Sequence, residues 1–315
     1  MSTATTAVSA AAPGPPVPGA AKRRRSEQAI RVGLFLAALL SVVTTILIVL
    51  SLLRETVLFF GDVGVGEFLT GTVWSPLFAD PSFGVLPLVL GTLLITGISL
   101  IVAVPLGLGT AIYLAEYAKP RTRKVVKPFI EVLAGVPTIV FGYFALTFFT
   151  PVVLNDLLGV GVPTFNALSA GLIMGFMVLP TVASVSEDAM SAVPRALREG
   201  AFGLGANKLQ VSLRVVFPAA LSGIVAAIVL GVSRAIGETM IVLVAAGQQP
   251  NLTVDPRQSV ETITTFIAAT AKGDIATGSI TYKTIFAVGM VLFVMTLIMN
   301  AIAIRFVRRY RQVYE

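Results

Sequence analysis

The sequence predicts an all-α integral membrane protein of six spans, and three observations carry that class. Of 315 residues, 56% are hydrophobic and 12% charged, whereas a soluble domain carries about 25% charged residues. The apolar runs reach or exceed the ~20 residues of a membrane helix and are far too long for barrel strands. The basic residues gather at the ends of those runs, so the formal net charge of +7 is accounted for by membrane topology rather than by nucleic acid. Cysteine and histidine are both absent. That excludes disulfides, thiolate or imidazole metal ligands, and Cys- or His-based catalysis.

Residues 1–31 read as a disordered basic tail: an Ala/Pro/Ser/Thr tract, then Lys22, Arg23, Arg24 and Arg25. The apolar run 32–53 exceeds the apolar core of a signal peptide and has no small-residue cleavage site after it. It is expected to be a retained first span. Residues 54–85 hold Glu55, Asp62, Glu67 and a single basic residue, Arg54. They predict an external loop with a short interfacial helix, and Trp74-Ser75-Pro76 is placed at the headgroup level, where Trp is favoured. The run 86–117 is long and carries Pro87 and Pro105. The basic cluster Lys119, Arg121, Arg123, Lys124 and Lys127 behind it calls for one kinked outside-to-inside crossing.

The third span is expected over 128–153, interrupted at Gly135 and Pro137. An external loop follows at 154–165, and the fourth span at 167–185. The fifth span is expected at 215–246, a polar external loop at 248–283, the sixth span at 284–304, and a basic cytoplasmic tail at 306–315. Residues 86–305 thus form a core of five spans. The four segments assigned to the cytoplasm carry five, five, four and four Lys/Arg, and the three external ones one, none and three. This places both termini inside. No internal repeat is evident, which argues against inverted-repeat secondary transporters.

The cytoplasmic segment 189–213 has a helical pattern over 187–204, with Ala189, Val193, Leu197 and Phe202 near one face and Pro194 near a helix start. Gly203 and Gly205 break it, and Asn207 is suited to cap a second short helix at Lys208. Two short helices on a glycine joint make a knob that fits a partner's groove. An amphipathic loop lying on the membrane is the alternative. Glu187 and Asp188 are placed at the start of the cytoplasmic helix, against its positive dipole end. Glu116 and Glu131 are expected to form local salt bridges with Lys119, Arg121 and Lys127.

The fifth span carries Arg234 and Glu238, four apart and hence on one helical face. A charge in the bilayer costs at least about 2.5–3.5 kcal/mol on insertion scales. The two must pair with each other or face a wet path. The first reading is a structural ion pair. The second is an anion site, since the guanidinium is a permanently charged planar fork suited to tetrahedral oxyanions. Thr138 and Thr239 offer hydroxyls to such an ion, although membrane threonines more often bond their own backbone.

Glu199-Gly200-Ala201, three residues, Gly205, nine residues and Val215-Val216-Phe217-Pro218 resemble the EAA motif of ABC importer permeases. The departures are Gly200, Val215 and Phe217, all small or apolar. Further stretches are similar to the phosphate-specific permeases: Trp74-Ser75-Pro76, Phe83-Gly84, Gly91-Thr92, residues 111–117, residues 131–137 and Arg234-Ala235-Ile236-Gly237-Glu238-Thr239-Met240. The last looks like the PstC type rather than the PstA type. The resemblance spans most of 68–305 and implies the six-helix, MetI-like transmembrane domain of a type I importer. It makes Glu199, Gly200, Ala201, Gly205 and Pro218 the ATPase-coupling segment and favours Arg234 and Glu238 as lining a phosphate path. It further implies a second permease of PstA type, a PstB-type ATPase dimer that binds the ATP and Mg, and an external PstS-type binding protein. No cofactor is expected in this chain, which has no G-x-x-x-x-G-K-[ST] loop, nor a catalytic role of its own. Two alternatives stay open: the same machine for molybdate or sulfate, and a self-contained channel or secondary transporter.

Overall fold

The computed structural model describes residues 20–310. The expected disorder of residues 1–19 and the basic end at Arg311 lie outside the described residues. The chain divides between Ser51 and Leu52 into two contact units, with helix α1 (Ala20–Asp62) contributing to both. α1 starts well before residue 32. The stretch 20–31, assigned above to a disordered tail, is rich in Ala, Arg, Glu and Gln, all good helix formers, and continues the helix N-terminally. In the first unit its apolar side chains, among them Leu34, Phe35 and Leu40, are largely exposed.

In the second unit α1 continues past residue 53 to Asp62, then α2 (Val65–Thr70) follows. Trp74 pairs with Phe83 in an isolated antiparallel bridge. Trp74 is 3% exposed and sits edge-on to Phe68 and Phe266. It is therefore a core residue joined to Phe59 and Phe83, not the interfacial anchor expected. The aromatic cluster takes it because edge-to-face packing adds to plain area burial.

The second span is one helix, α3 (Leu86–Ile112), running through Pro105 and ending in a π-helical turn, Tyr113–Tyr117. The third differs from expectation. Pro120–Ala134 is a separate amphipathic helix, α4. Gly135–Pro137 breaks the chain, and the span is α5 (Thr138–Phe144) continued by the π-helical stretch Ala145–Leu157. Pro137 has no N–H to give and restricts the residue before it, so the helix restarts after it.

The fourth, α6 (Ala167–Ser191), is longer than expected; the side chain of Asn166 caps its start by accepting from the Ser169 N–H. α7 (Arg195–Gly203) begins after Pro194, and Gly205 turns the chain at φ +83°. α8 (Lys208–Val211) opens with the capping box of Asn207 and Gln210. A π-helical turn, Ser212–Val216, and α9 (Phe217–Ala219) lead to α10 (Leu221–Ile236), bent 72° from the preceding segment.

The expected fifth span does not run unbroken to residue 246. At 16 residues α10 is about 24 Å long, short of a ~30 Å hydrocarbon core, and α11 (Met240–Ala245) resumes after Gly237. The loop 248–283 contains α12 (Ile263–Ala271), whose Phe266, Thr264 and Thr265 are buried. It is thus partly core rather than wholly polar loop. α13 (Ile280–Tyr310) overruns residues 284–304 at both ends, taking in five residues assigned above to the tail. Among the described residues, five helices are long and apolar enough to cross a membrane, and a sixth if the bent pair counts as one.

α3 and α6 form the most extensive helix pair, and their closeness is set by glycines. A Cβ on Gly171 would meet the Ile98 Cβ at 2.7 Å, and one on Gly175 the Ser99 carbonyl oxygen at 2.9 Å. Small residues let backbones approach where lipid gives no hydrophobic drive for helices to associate. Buried Met174, Met177, Val178 and Val182 fill the seam, and α10 and α11 close on it through Ala235, Ile241 and Val242.

Candidate functional site

Arg234 lies in the last turn of α10, which ends at Ile236 with Gly237 as its C-cap. The guanidinium is half-buried and donates from Nη1 to the Thr181 hydroxyl on α6 at 3.2 Å. Glu238 lies past the break and is 9% exposed. Its Oε1 accepts the backbone N–H groups of Met240 at 3.0 Å and Ile241 at 3.4 Å. A carboxylate so placed satisfies the orphan donors that open α11 and complements its dipole. The Glu238 carbonyl accepts from Thr264 at 2.7 Å, which ties the break to α12.

The expectation of two charges on one continuous helical face is therefore corrected. Glycine at 237 allows the helix to end, and the residues on either side belong to different helices. No ion pair joins Arg234 and Glu238 among the described residues. Among the described residues the guanidinium thus sits on a mostly apolar helix with one hydroxyl as its side-chain partner and no carboxylate against it. Its remaining N–H donors make no other hydrogen bond among the described residues. Thr239 bonds the Gly237 carbonyl, the local role anticipated for it.

The basic end is built by α4, α7, α8 and the ends of α3 and α6. Glu187 and Asp188 lie in the last turn of α6, not at the start of the next helix, because the chain stays helical to Ser191. At that end the dipole disfavours acids, and α4 supplies compensating cations. The Glu187 side chain is 0% exposed, held by Arg123, by Lys127 at 2.7 Å and by the Ser191 hydroxyl at 2.8 Å. Lys127 also reaches Asp188 at 2.6 Å. Hydrogen bonds to Asp188 and then Glu187 hold its ammonium above the ordinary lysine range, against burial.

Glu116 pairs not with its neighbours in sequence but with Arg198 of α7 at 3.1 Å. Glu131 makes no ion pair among the described residues. Of the expected coupling residues, Glu199, Gly200, Gly205 and Pro218 are exposed, while Ala201 packs against the cluster of Val193, Val211 and Val216. Val193 and Leu197 turn inward, whereas Phe202 at 48%, Leu209 at 58% and Leu204 at 91% are exposed. This is an apolar ridge on a short jointed knob.

The opposite end holds a group that sequence reasoning passed over. Glu261, between α11 and α12, is 6% exposed, and burial pushes its carboxyl up to about 8. In the sequence it was one acid among several in an expected polar loop. Its signal was the apolar, threonine-rich run that follows, which opens with the Thr262–Thr265 capping box. With the folded pKa above the unfolded one, the native state holds the extra proton, so stability falls as pH rises from about 4.5 to about 8. At about 1.4 kcal/mol per tenfold, the loss amounts to a few kcal/mol. Glu261→Gln is expected to remove that slope in detergent melts from pH 5 to 9. An unchanged slope would place the pH dependence elsewhere. Among the described residues no group of three or more Asp/Glu/His/Cys side chains could hold a metal ion.

The model of binding-protein-dependent transport system inner membrane components matches residues 103–312. The chain is 36% identical over 248 residues to the probable ABC transporter permease protein YqgH of Bacillus subtilis, covering 78% of this chain and 79% of that one. It is 36% identical over 251 residues to the phosphate transport system permease protein PstC of Haemophilus influenzae, covering 73% and 77%. Against PstC 1 of Mycobacterium tuberculosis it is 34% identical over 279 residues, covering 77% and 82%. Among solved structures, a bacterial ABC transporter for import of the acidic polysaccharide alginate superposes with TM-score 0.63 at 20% identity, covering 92% of this chain and 100% of that one. The inward-facing MetNI methionine ABC transporter gives 0.55 at 18%, covering 73% and 95%. The helical membrane architecture, the motif at 199–218 and these likenesses agree: the chain belongs to the binding-protein-dependent ABC importer permeases, multi-pass inner membrane components.

Proposed function

We propose that this chain is the PstC-type permease subunit of an ATP-driven inorganic phosphate importer. The observation that carries the reading is Arg234: a guanidinium on an apolar helix, facing Thr181 and not neutralised by Glu238. An uncompensated cation in a span is costly, and an oxyanion on its way through would offset that cost through charge-assisted hydrogen bonds. The PstC names of the relatives support phosphate as that ion. Glu238 then acts by fixing the first turn of α11 beside the break.

The basic end faces the cytoplasm, with both termini there. The knob of α7 and α8 enters a cleft of a PstB-type ATPase dimer, which binds ATP and Mg, so this chain has no catalytic role and needs no cofactor of its own. Phe202, Leu204 and Leu209 are the apolar contacts, and Glu199, Gly200, Ala201, Gly205 and Pro218 shape the segment. A PstA-type subunit completes the path. A PstS-type binding protein docks on 54–85 and 248–283, where Gln249, Asn251, Asp255 and Arg257 rim an open depression of about 720 Å³. ATP binding closes the ATPases, and differential contacts at the knob shift the permease between inward and outward access.

The test is co-purification after mild solubilisation, followed by reconstitution. An ATPase and a second permease should accompany the chain, and binding-protein-dependent uptake should favour phosphate. Uptake of sulfate or molybdate in its place would reassign the substrate. Transport by this chain alone in liposomes would overturn the importer reading.

A further inference from the structure

The side chain of Arg198 joins three elements at the basic end. From α7 it donates Nε and Nη2 to Glu116 Oε1, at 3.2 and 3.1 Å, in the π-helical turn that ends α3. Nη2 also donates to the Met190 carbonyl at 2.7 Å, and Nη1 to the Val193 carbonyl. Both carbonyls belong to the end of α6 and the turn after it, where unsatisfied acceptors gather and a cation is favoured. The pair is not a solvated surface contact: the two side chains are 18% and 7% exposed. A second tie reaches the same π turn, with the Lys208 ammonium 5.0 Å from the centre of the Tyr117 ring. α7 is thereby fastened to the ends of α3 and α6, and those are the two helices whose seam is packed without slack at Gly171 and Gly175. Thr181, the partner of Arg234, lies within α6. A displacement of α7 therefore has a stiff route to the helix that faces the guanidinium.

We propose that the Arg198–Glu116 clamp is the rigid link that makes α7 move with α3 and α6, and that Arg198 and Glu116 are positioning residues setting how much substrate moves per ATP hydrolysed. The inference rests on α7 and α8 receiving the ATPase, and it concerns residues outside the surface that docks there. A planar fork is required: lysine offers a point charge and cannot hold a carboxylate and two carbonyls in fixed geometry.

The experiment uses the complete importer in proteoliposomes with its binding protein, recording phosphate uptake and ATP hydrolysis together. Glu116→Gln preserves shape and leaves the Arg198–carbonyl bonds. It should retain the ATPase in the complex and most of its hydrolysis while phosphate per ATP falls about five- to tenfold, the lower end of the usual size of a coupling. Arg198→Lys should be no better. The chain has no native cysteine, so within it a short bifunctional maleimide can join only the introduced pair in Glu116→Cys with Arg198→Cys, and the treated wild-type complex controls for reaction with the partner subunits. A link that is rigid throughout the cycle predicts that cross-linking restores the ratio. An unchanged ratio in Glu116→Gln, or transport abolished by the cross-link, overturns the proposal while leaving the importer reading intact. Absence of any ATPase from the wild-type complex overturns the importer reading first.

Discussion

Arg234→Gln is expected to reduce phosphate uptake about a hundredfold, in line with the 2–5 kcal/mol lost when one member of a buried charge pair is truncated, while leaving protein levels and melting temperature unchanged or slightly raised. The two readouts move apart because of what the guanidinium touches. Among the described residues one hydroxyl, on Thr181, faces it, and no carboxylate neutralises it. Removing it therefore relieves the cost of a charge in a span and strands no acid. Had Arg234 been a structural partner of Glu238, the same change would have left a buried carboxylate unpaired and lowered stability by several kcal/mol. Exchanging the two residues, Arg234→Glu with Glu238→Arg, extends the argument. Glu238 accepts from two backbone N–H groups at the start of α11, and arginine has no acceptor to replace it, so the exchange is expected to restore neither assembly nor transport. Wild-type uptake by Arg234→Gln at normal protein levels would remove the anion site from the mechanism.

How much of this was legible in the sequence follows from the physics of each feature. The helical membrane class and the rough positions of the spans were legible because apolar length and flanking basic residues are one-dimensional signals; the separate helix α4 ahead of the third and the break in the fifth were not. The knob was legible too: Asn207 caps α8 as its position suggested, and Gly205 takes the positive φ that ends α7. What failed depended on which helix an amino acid ended up in. Gly237 could have been an ordinary helical glycine; its place as a terminus goes with α10 and α11 each packing on α6 as separate helices. Glu187 and Asp188 were assigned to the wrong helix because nothing local ends α6 before Ser191; the stabilising cations sit some 60 residues earlier, on α4. Glu116 illustrates the same point. Five basic residues follow it within eleven positions, yet its partner is 82 positions away. Long-range pairing of charges leaves no periodic trace, and Trp74 had no local mark to distinguish a core position from a headgroup one.

Glu187 supplies the largest expected effect on stability. Its side chain is 0% exposed and is shared by Arg123, Lys127 and Ser191. Removing its charge in Glu187→Gln leaves Arg123 without a carboxylate, since Asp188 reaches Lys127 and no ion pair joins it to Arg123 among the described residues. Breaking a fully buried pair by truncating one partner costs about 3–5 kcal/mol; Arg123 is 39% and Lys127 25% exposed, so water takes up part of that, and a loss of about 2 kcal/mol corresponds to a fall in melting temperature of about 5 °C for a domain of this size. Asp188→Asn is the control. At 62% exposure its bond to Lys127 is a surface pair worth about 1 kcal/mol or less. The two substitutions are adjacent in sequence and alter the same formal charge, so a large gap between their melting temperatures isolates burial as the cause. Replacing all three members, Glu187→Met with Arg123→Leu and Lys127→Met, should recover most of the loss, because an apolar cluster of similar volume avoids the desolvation that the charges incur. Equal melting temperatures for Glu187→Gln and Asp188→Asn would mean that water reaches the cluster and that α4 is not anchored to α6 through it.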